Sequence, residues 1–123
     1  MAQPEHDMQV ALFQWAAFRD NLYPELKLLF AIPNGGKRDA RTGARLKKEG
    51  VKAGVPDLCL PVSKRNYNSL FIELKAGKNK PSDKQLWWKK ELMAAGNLCG
   101  TCYSWEEARD LIVKYLDNDI SVR

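Results

Sequence analysis

The sequence predicts a mixed-sheet α/β layer fold, and three observations carry that expectation. Apolar residues recur at helical spacing near both ends of the chain. Four short apolar runs of strand length lie between them, and Gly, Pro and helix-capping residues punctuate the joins. The order that results is α-β-α-β-β-α-β-α, a small mixed β-sheet flanked by helices.

Met8, Ala11, Leu12, Trp15, Phe18 and Leu22 fall at helical spacing, so residues 5–21 read as an amphipathic helix that Pro24 ends. Residues 27–32 form a short apolar strand, stopped by the turn residues Pro33, Asn34, Gly35 and Gly36. A short helix is expected over residues 44–49, closed by Gly50. After Gly54 and Pro56, residues 57–62 read as a second strand, residues 63–68 as a polar loop and residues 69–76 as a third strand. Leu70, Ile72 and Leu74 supply one face of that strand and Phe71 the other, which marks it as central, with charge only toward its end. Ser82 and Gln85 have the spacing of a capping box opening a helix that Gly96 terminates near residue 95. Residues 98–103 make a fourth strand. Ser104 and Glu107 form a second capping box, and Trp105, Ala108, Leu111, Ile112, Tyr115 and Leu116 give the stripe of a last helix.

With 123 residues the chain is expected to form one domain over 1–123, with enough length to bury a single core. No apolar run approaches the roughly 20 residues of a membrane-spanning helix, and residues 1–7 lack the layout of a signal peptide. The expected location is therefore intracellular, the cytoplasm. The odd count of cysteines, Cys59, Cys99 and Cys102, fits reduced thiols. Cys99 and Cys102 form a C-x-x-C, open to a zinc or redox reading, but no second ligand pair accompanies it and the one histidine, His6, is remote. Small buried strand side chains are the favoured reading.

The net charge of +5 is unevenly placed. Lys37, Arg38, Arg41, Arg45, Lys47, Lys48 and Lys52 are opposed only by Asp39 and Glu49, and Lys75, Lys78, Lys80 and Lys84 only by Asp83. Clustered positive charge of this kind suits a polyanion such as nucleic acid, although solvated lysine faces are common.

The chemistry converges on three residues. Glu73 and Lys75 lie two apart on a strand, so they share a face at the end of an apolar run. Unpaired charge there is costly, so the two must pair, bind an ion or be solvated. Asp57 follows Pro56 at the start of the preceding strand, and a hairpin between the two strands would bring it close to Glu73. Two carboxylates pressed together repel, and a divalent cation relieves the repulsion. Oxygen ligands select a hard cation such as Mg²⁺. Such an ion can activate water against a phosphodiester, with Lys75 holding the water or the developing charge. An E-x-K triplet alone also fits a surface salt bridge on an edge strand. The buried run before it and the Pro-Asp one hairpin upstream favour the site.

Pro56-Asp57 followed by Glu73-Leu74-Lys75 resembles the motif of the PD-(D/E)xK nuclease superfamily. The wider text is Pro33-Asn34-Gly35-Gly36, then Lys52-Ala53-Gly54-Val55-Pro56-Asp57-Leu58, then Phe71-Ile72-Glu73-Leu74-Lys75, then Ser82 to Gln85 with Trp88. In that order it is similar to the stand-alone VRR-NUC (virus-type replication-repair nuclease) domains often carried by phages. The resemblance covers nearly the whole chain. It implies a restriction-endonuclease-like fold and Mg²⁺- or Mn²⁺-dependent cleavage of DNA. Asp57 and Glu73 match the metal-binding acids, Lys75 the catalytic lysine, and the backbone carbonyl of Leu74 a further ligand. Glu5, with Asp7 as rival, matches a first-helix glutamate, which otherwise reads as an acid suited to a helix N-terminus. Gln85 matches a site glutamine and otherwise completes the capping box, two roles that could exclude each other. The resemblance also implies a homodimer and branched DNA, such as Holliday junctions, as substrate; flap or nicking activity, or a metal-free binding module, are the alternatives.

Asn34, Gly35 and Gly36 either bring backbone amides to a phosphate or form an ordinary turn. Lys47, Lys48 and Lys52 are candidates for contacts to the DNA backbone. Trp87 and Trp88 are adjacent on a helix and cannot face the same way; one is expected in the core and the other at a subunit interface.

Overall fold

The computed structural model describes residues 4–33 and 39–117. The expected element order is found: α1 (Pro4–Arg19), β1 (Phe30–Ala31), α2 (Ala40–Lys48), β2 (Leu58–Leu60), β3 (Leu70–Leu74), α3 (Asp83–Ala94), β4 (Leu98–Cys102) and α4 (Trp105–Leu116). The strands lie side by side in chain order. β1–β2 and β2–β3 are antiparallel and β3–β4 is parallel, with α3 as the crossover between the parallel pair.

Strand alternation divides the sheet into two unlike faces. Leu58, Leu60, Leu70, Ile72, Leu74, Leu98 and Cys102 point to one face. They pack there with Leu12 and Ala16 of α1 and with Ala108, Ile112, Tyr115 and Leu116 of α4. Cys59, Phe71, Glu73, Cys99 and Thr101 take the other face, where α3 lies. The central β3 is buried except for half-buried Phe71, as its two-sided apolar pattern requires.

Three expectations need correction. Only Phe30 and Ala31 of residues 27–32 are strand. Pro24–Leu28 instead wind into a 3-10 helix, with proline in its first turn and Tyr23 C=O accepting from Leu26 N–H. Phe18 and Leu22 do not belong to the buried stripe of α1, since they are 77% and 62% exposed. Phe18 lies about 120° round the helix from Leu12, and Leu22 lies beyond the helix end. The helix over residues 44–49 begins earlier, because Asp39 caps it by accepting from Thr42 N–H at 2.8 Å.

Both later N-caps behave as expected at the serine. Ser82 and Gln85 form a reciprocal box. At α4, Ser104 accepts from Glu107 N–H, but Glu107 reaches back to Tyr103 N–H rather than to Ser104. Among the described residues no helix is long and apolar enough to cross a membrane.

Candidate active site

β2, β3 and the loop before β2 bring Asp57 and Glu73 together. The backbone of Asp57 is fixed by Ile32 N–H, which donates to its carbonyl at 2.7 Å. Its Oδ2 accepts from Leu74 N–H at 2.8 Å, continuing by side chain the ladder that β2 makes with β3. In an antiparallel pair a residue's N–H and C=O leave on the same side. The Leu74 carbonyl therefore also leaves β3 toward Asp57.

Among the described residues Glu73 is the one buried acid, 8% exposed. Burial pushes its carboxyl up to about 8, and the charge of Asp57 and their mutual hydrogen bond push the same way. Lys75 pulls against this and Glu5 adds to it, which puts all four side chains within electrostatic reach. Gln85 Nε2 donates to Glu73 Oε2 at 2.8 Å, whereas Glu73 Oε1 is buried with no hydrogen-bond partner.

The two suggested roles of Gln85 do not exclude each other. Its Oε1 accepts from Ser82 N–H at 2.8 Å while its Nε2 holds Glu73. An amide has an acceptor at one corner and donors at the other, so one side chain fixes the helix start and aims the carboxylate. Glu5 Oε2 accepts from Ala76 N–H at 3.1 Å across 71 residues of chain, tying the start of α1 to the end of β3. Asp7, its rival, is exposed.

The loop that delivers Asp57 is seated on α3. Trp88 Nε1 donates to Ala53 C=O at 3.2 Å. At Gly54, φ is +92°, and a Cβ would lie 2.7 Å from Lys84 Cβ and 2.9 Å from its backbone carbon. Only glycine permits both that conformation and that approach. These two contacts were not anticipated. Thr101, beside Glu73 in the parallel register, was also missed, because register cannot be read from either strand alone.

Lys47, Lys48 and Lys52 are exposed, the first two at the end of α2 and the third beside Ala53. Asn34 and Gly35, with Gly36, lie outside the described residues. Of the tryptophan pair, Trp88 is half-buried and Trp87 is 56% exposed. Cys99 and Cys102 point to opposite faces of β4, so they cannot form a chelate. Burial pushes their thiols up to about 11 and about 12, which leaves them unreactive.

The chain matches the VRR-NUC domain family model over residues 4–106. It belongs to the VRR-NUC family. A solved structure described as a VRR_NUC domain protein superimposes with a TM-score of 0.79 at 21% identity, covering 95% of this chain and 91% of that one. None of the curated proteins matches the sequence. The VRR-NUC family is a nuclease family, and nucleases of this type typically use divalent metals. The α/β architecture is compatible with the restriction-endonuclease-like fold.

The residues present fit such an ion. Among the described residues no three His, Cys, Asp or Glu side chains form a ready-made cage. Two carboxylates and a carbonyl suffice, however, for a Mg²⁺ that keeps several waters. The partnerless Oε1 of Glu73, in an acid that burial keeps protonated beside Asp57, is the unsatisfied oxygen a cation would complete.

Proposed function

We propose that this VRR-NUC domain is a Mg²⁺- or Mn²⁺-dependent, structure-selective endonuclease that hydrolyses phosphodiester bonds of branched DNA. The observation that supports it is half-buried Asp57 set against buried Glu73, whose Oε1 lacks a partner, with Lys75 on the same face.

Asp57, Glu73 and the Leu74 carbonyl would hold the cation, with Glu5 closing the acidic side. When bound, the cation supplies Lewis acidity, neutralising phosphate charge and favouring attack by water. Gln85 keeps Glu73 in its binding rotamer, a hydrogen bond that also relieves the cost of burying the carboxylate. Lys75, on the Glu73 face, orients the attacking water and stabilises negative charge as it develops on the phosphate. Lys47, Lys48 and Lys52 contact the DNA backbone and carry no sequence information, which suits recognition of a shape. Asn34 and Gly35, which lie outside the described residues, are proposed as further DNA contacts. Two symmetry-related cuts in a four-way junction need two sites, which a two-fold homodimer provides.

The test is metal-dependent cleavage of a synthetic four-way junction by wild type and Asp57→Asn, beside flap and linear duplex. Paired symmetric cuts lost in Asp57→Asn support the full reading. Metal-dependent cuts without symmetry leave a flap or nicking nuclease. Binding without cleavage of any substrate by folded protein leaves a nucleic-acid-binding module.

A further inference from the structure

α3 exposes apolar side chains that the fold does not use. No residue of the helix is fully buried, and Leu86, Trp87 and Met93 are 50%, 56% and 41% exposed. Trp87 stands out among them because its neighbour restricts it. Its ring centroid lies 5.3 Å from that of Trp88 with the planes at 90°, and Trp88 is itself held by Ala53 C=O. In an edge-to-face pair at least one face of Trp87 stays open, whichever ring presents its edge. Two residues before Trp87, Gln85 grips Glu73.

The surroundings decide what such a ring would take. Lys84 and Lys90, both exposed, lie at i−3 and i+3 and so beside Trp87 on the helix surface; Asp83 and Glu91 lie at i±4. The approach from β3 adds Lys75, Lys78 and Lys80, and the loop under Trp88 adds Lys52. A second copy of the chain is a poor occupant. Lys90 sits mid-stripe between Leu86 and Met93, so a two-fold packing of α3 on itself would oppose two lysines. A nucleotide offers what the patch lacks, an aromatic face for the indole and a phosphate for the lysines.

We propose that Trp87 is a stacking platform for a base whose face is exposed at a break in the DNA stack, with Lys84 and Lys90 holding the adjacent phosphates. This deepens the nuclease reading and rests on it. Bases within a duplex are covered by their neighbours, whereas a base at a branch point or gap has a free face. Trp87 thereby distinguishes interrupted from continuous DNA within one helical turn of Gln85. Its contact with Trp88 restricts the ring before binding, which lowers the ordering cost in the complex.

The experiment is equilibrium binding without turnover, in Ca²⁺ at fixed salt, of fluorescent DNA by wild type, Trp87→Ala and Trp87→Phe. A duplex with a three-nucleotide unpaired gap is compared with the continuous duplex. Wild type is expected to prefer the gapped DNA, and Trp87→Ala to lose roughly tenfold or more of that preference. Trp87→Phe, which keeps an aromatic face, is expected to restore most of it. Circular dichroism checks folding, which the exposure of Trp87 leaves unthreatened. An equal loss on both DNAs, no loss, or no wild-type preference overturns the platform. So does a fall from dimer to monomer in sedimentation of Trp87→Ala, which would assign the ring to a protein interface. Mg²⁺-dependent cutting by wild type, measured in parallel, reports on the nuclease reading separately.

Discussion

A carboxyl that titrates near 8 in the folded, metal-free protein keeps a proton that the unfolded chain releases near 4.5. The folded state therefore binds more protons across that interval, and stability falls as pH rises through it. The contribution is complete below about 4.5 and lost as pH passes about 8. Glu73→Gln removes the titration while keeping the shape and both amide-compatible contacts. In EDTA the variant is expected to melt close to wild type at pH 5 and higher than wild type at pH 8.5. The stability gap should be on the order of 1–3 kcal/mol. Mg²⁺ should stabilise wild type most at the alkaline end and leave Glu73→Gln nearly unmoved. Parallel melting curves across the pH range would mean that Glu73 is ionised in the fold. Lys75 belongs to the same scale but to a different step: it lies within electrostatic reach of Glu73, and its proposed partners are the attacking water and the phosphate. Lys75→Ala is expected to lower cleavage at least a hundredfold and to leave DNA affinity within a few fold; retained cutting would remove it from the mechanism.

Single residues reach the site only because α3 and the loop before β2 are locked to each other. Gly54 is the point of closest approach, with a positive φ and Lys84 backbone within 3 Å of where a Cβ would stand. Gly54→Ala must move the loop, and Asp57 three residues on moves with it. The expected result is a destabilisation of about 2 kcal/mol or more from strain and overlap. Cleavage should fall further than the loss of folded protein explains, as measured by activity per folded molecule at a temperature well below melting. A variant that cuts at the wild-type rate would uncouple the loop from Asp57's position. The same elements show what periodicity and capping rules can reach. Local signals sufficed where neighbours in sequence decide the structure. The caps at Ser82 and Ser104, the two-sided burial of β3 and the shared face of Glu73 and Lys75 are of this kind. They failed where a partner far along the chain decides. Phe18 looked like part of an apolar stripe until the direction of the core was known. The 3-10 turn after Pro24 was hidden by an apolar run that also suits a strand. Gln85 could be assigned to a cap or to a site, and only the 2.8 Å contact to Glu73, twelve residues away, gives it both.

For the molecule as a whole, charge is the property most readily read from the chain and least dependent on detail. A net +5 concentrated before β2 and after β3 leaves the last helix comparatively acidic, with Glu106, Glu107 and Asp110. Under the proposed function, that asymmetry suits DNA binding by the basic segments. α2 has no buried residue and ends in Arg45, Lys47 and Lys48, so its basic end is available rather than spent on packing. Each lysine–phosphate contact releases condensed counterions and adds about 0.9 to the slope of log affinity against log salt on duplex DNA. Lys47→Ala/Lys48→Ala is therefore expected to weaken binding at low salt and to flatten the slope by about 1.8 if both touch phosphate. The affinity of variant and wild type should converge as salt rises, because only the electrostatic part is removed. Lysines at a helix C-terminus also favour the helix dipole. Circular dichroism of the variant must therefore show α2 intact before the slope is interpreted. A slope that stays at the wild-type value would place the phosphates along the Lys75–Lys84 side instead, which Lys78→Ala/Lys80→Ala would then reveal by the same measurement.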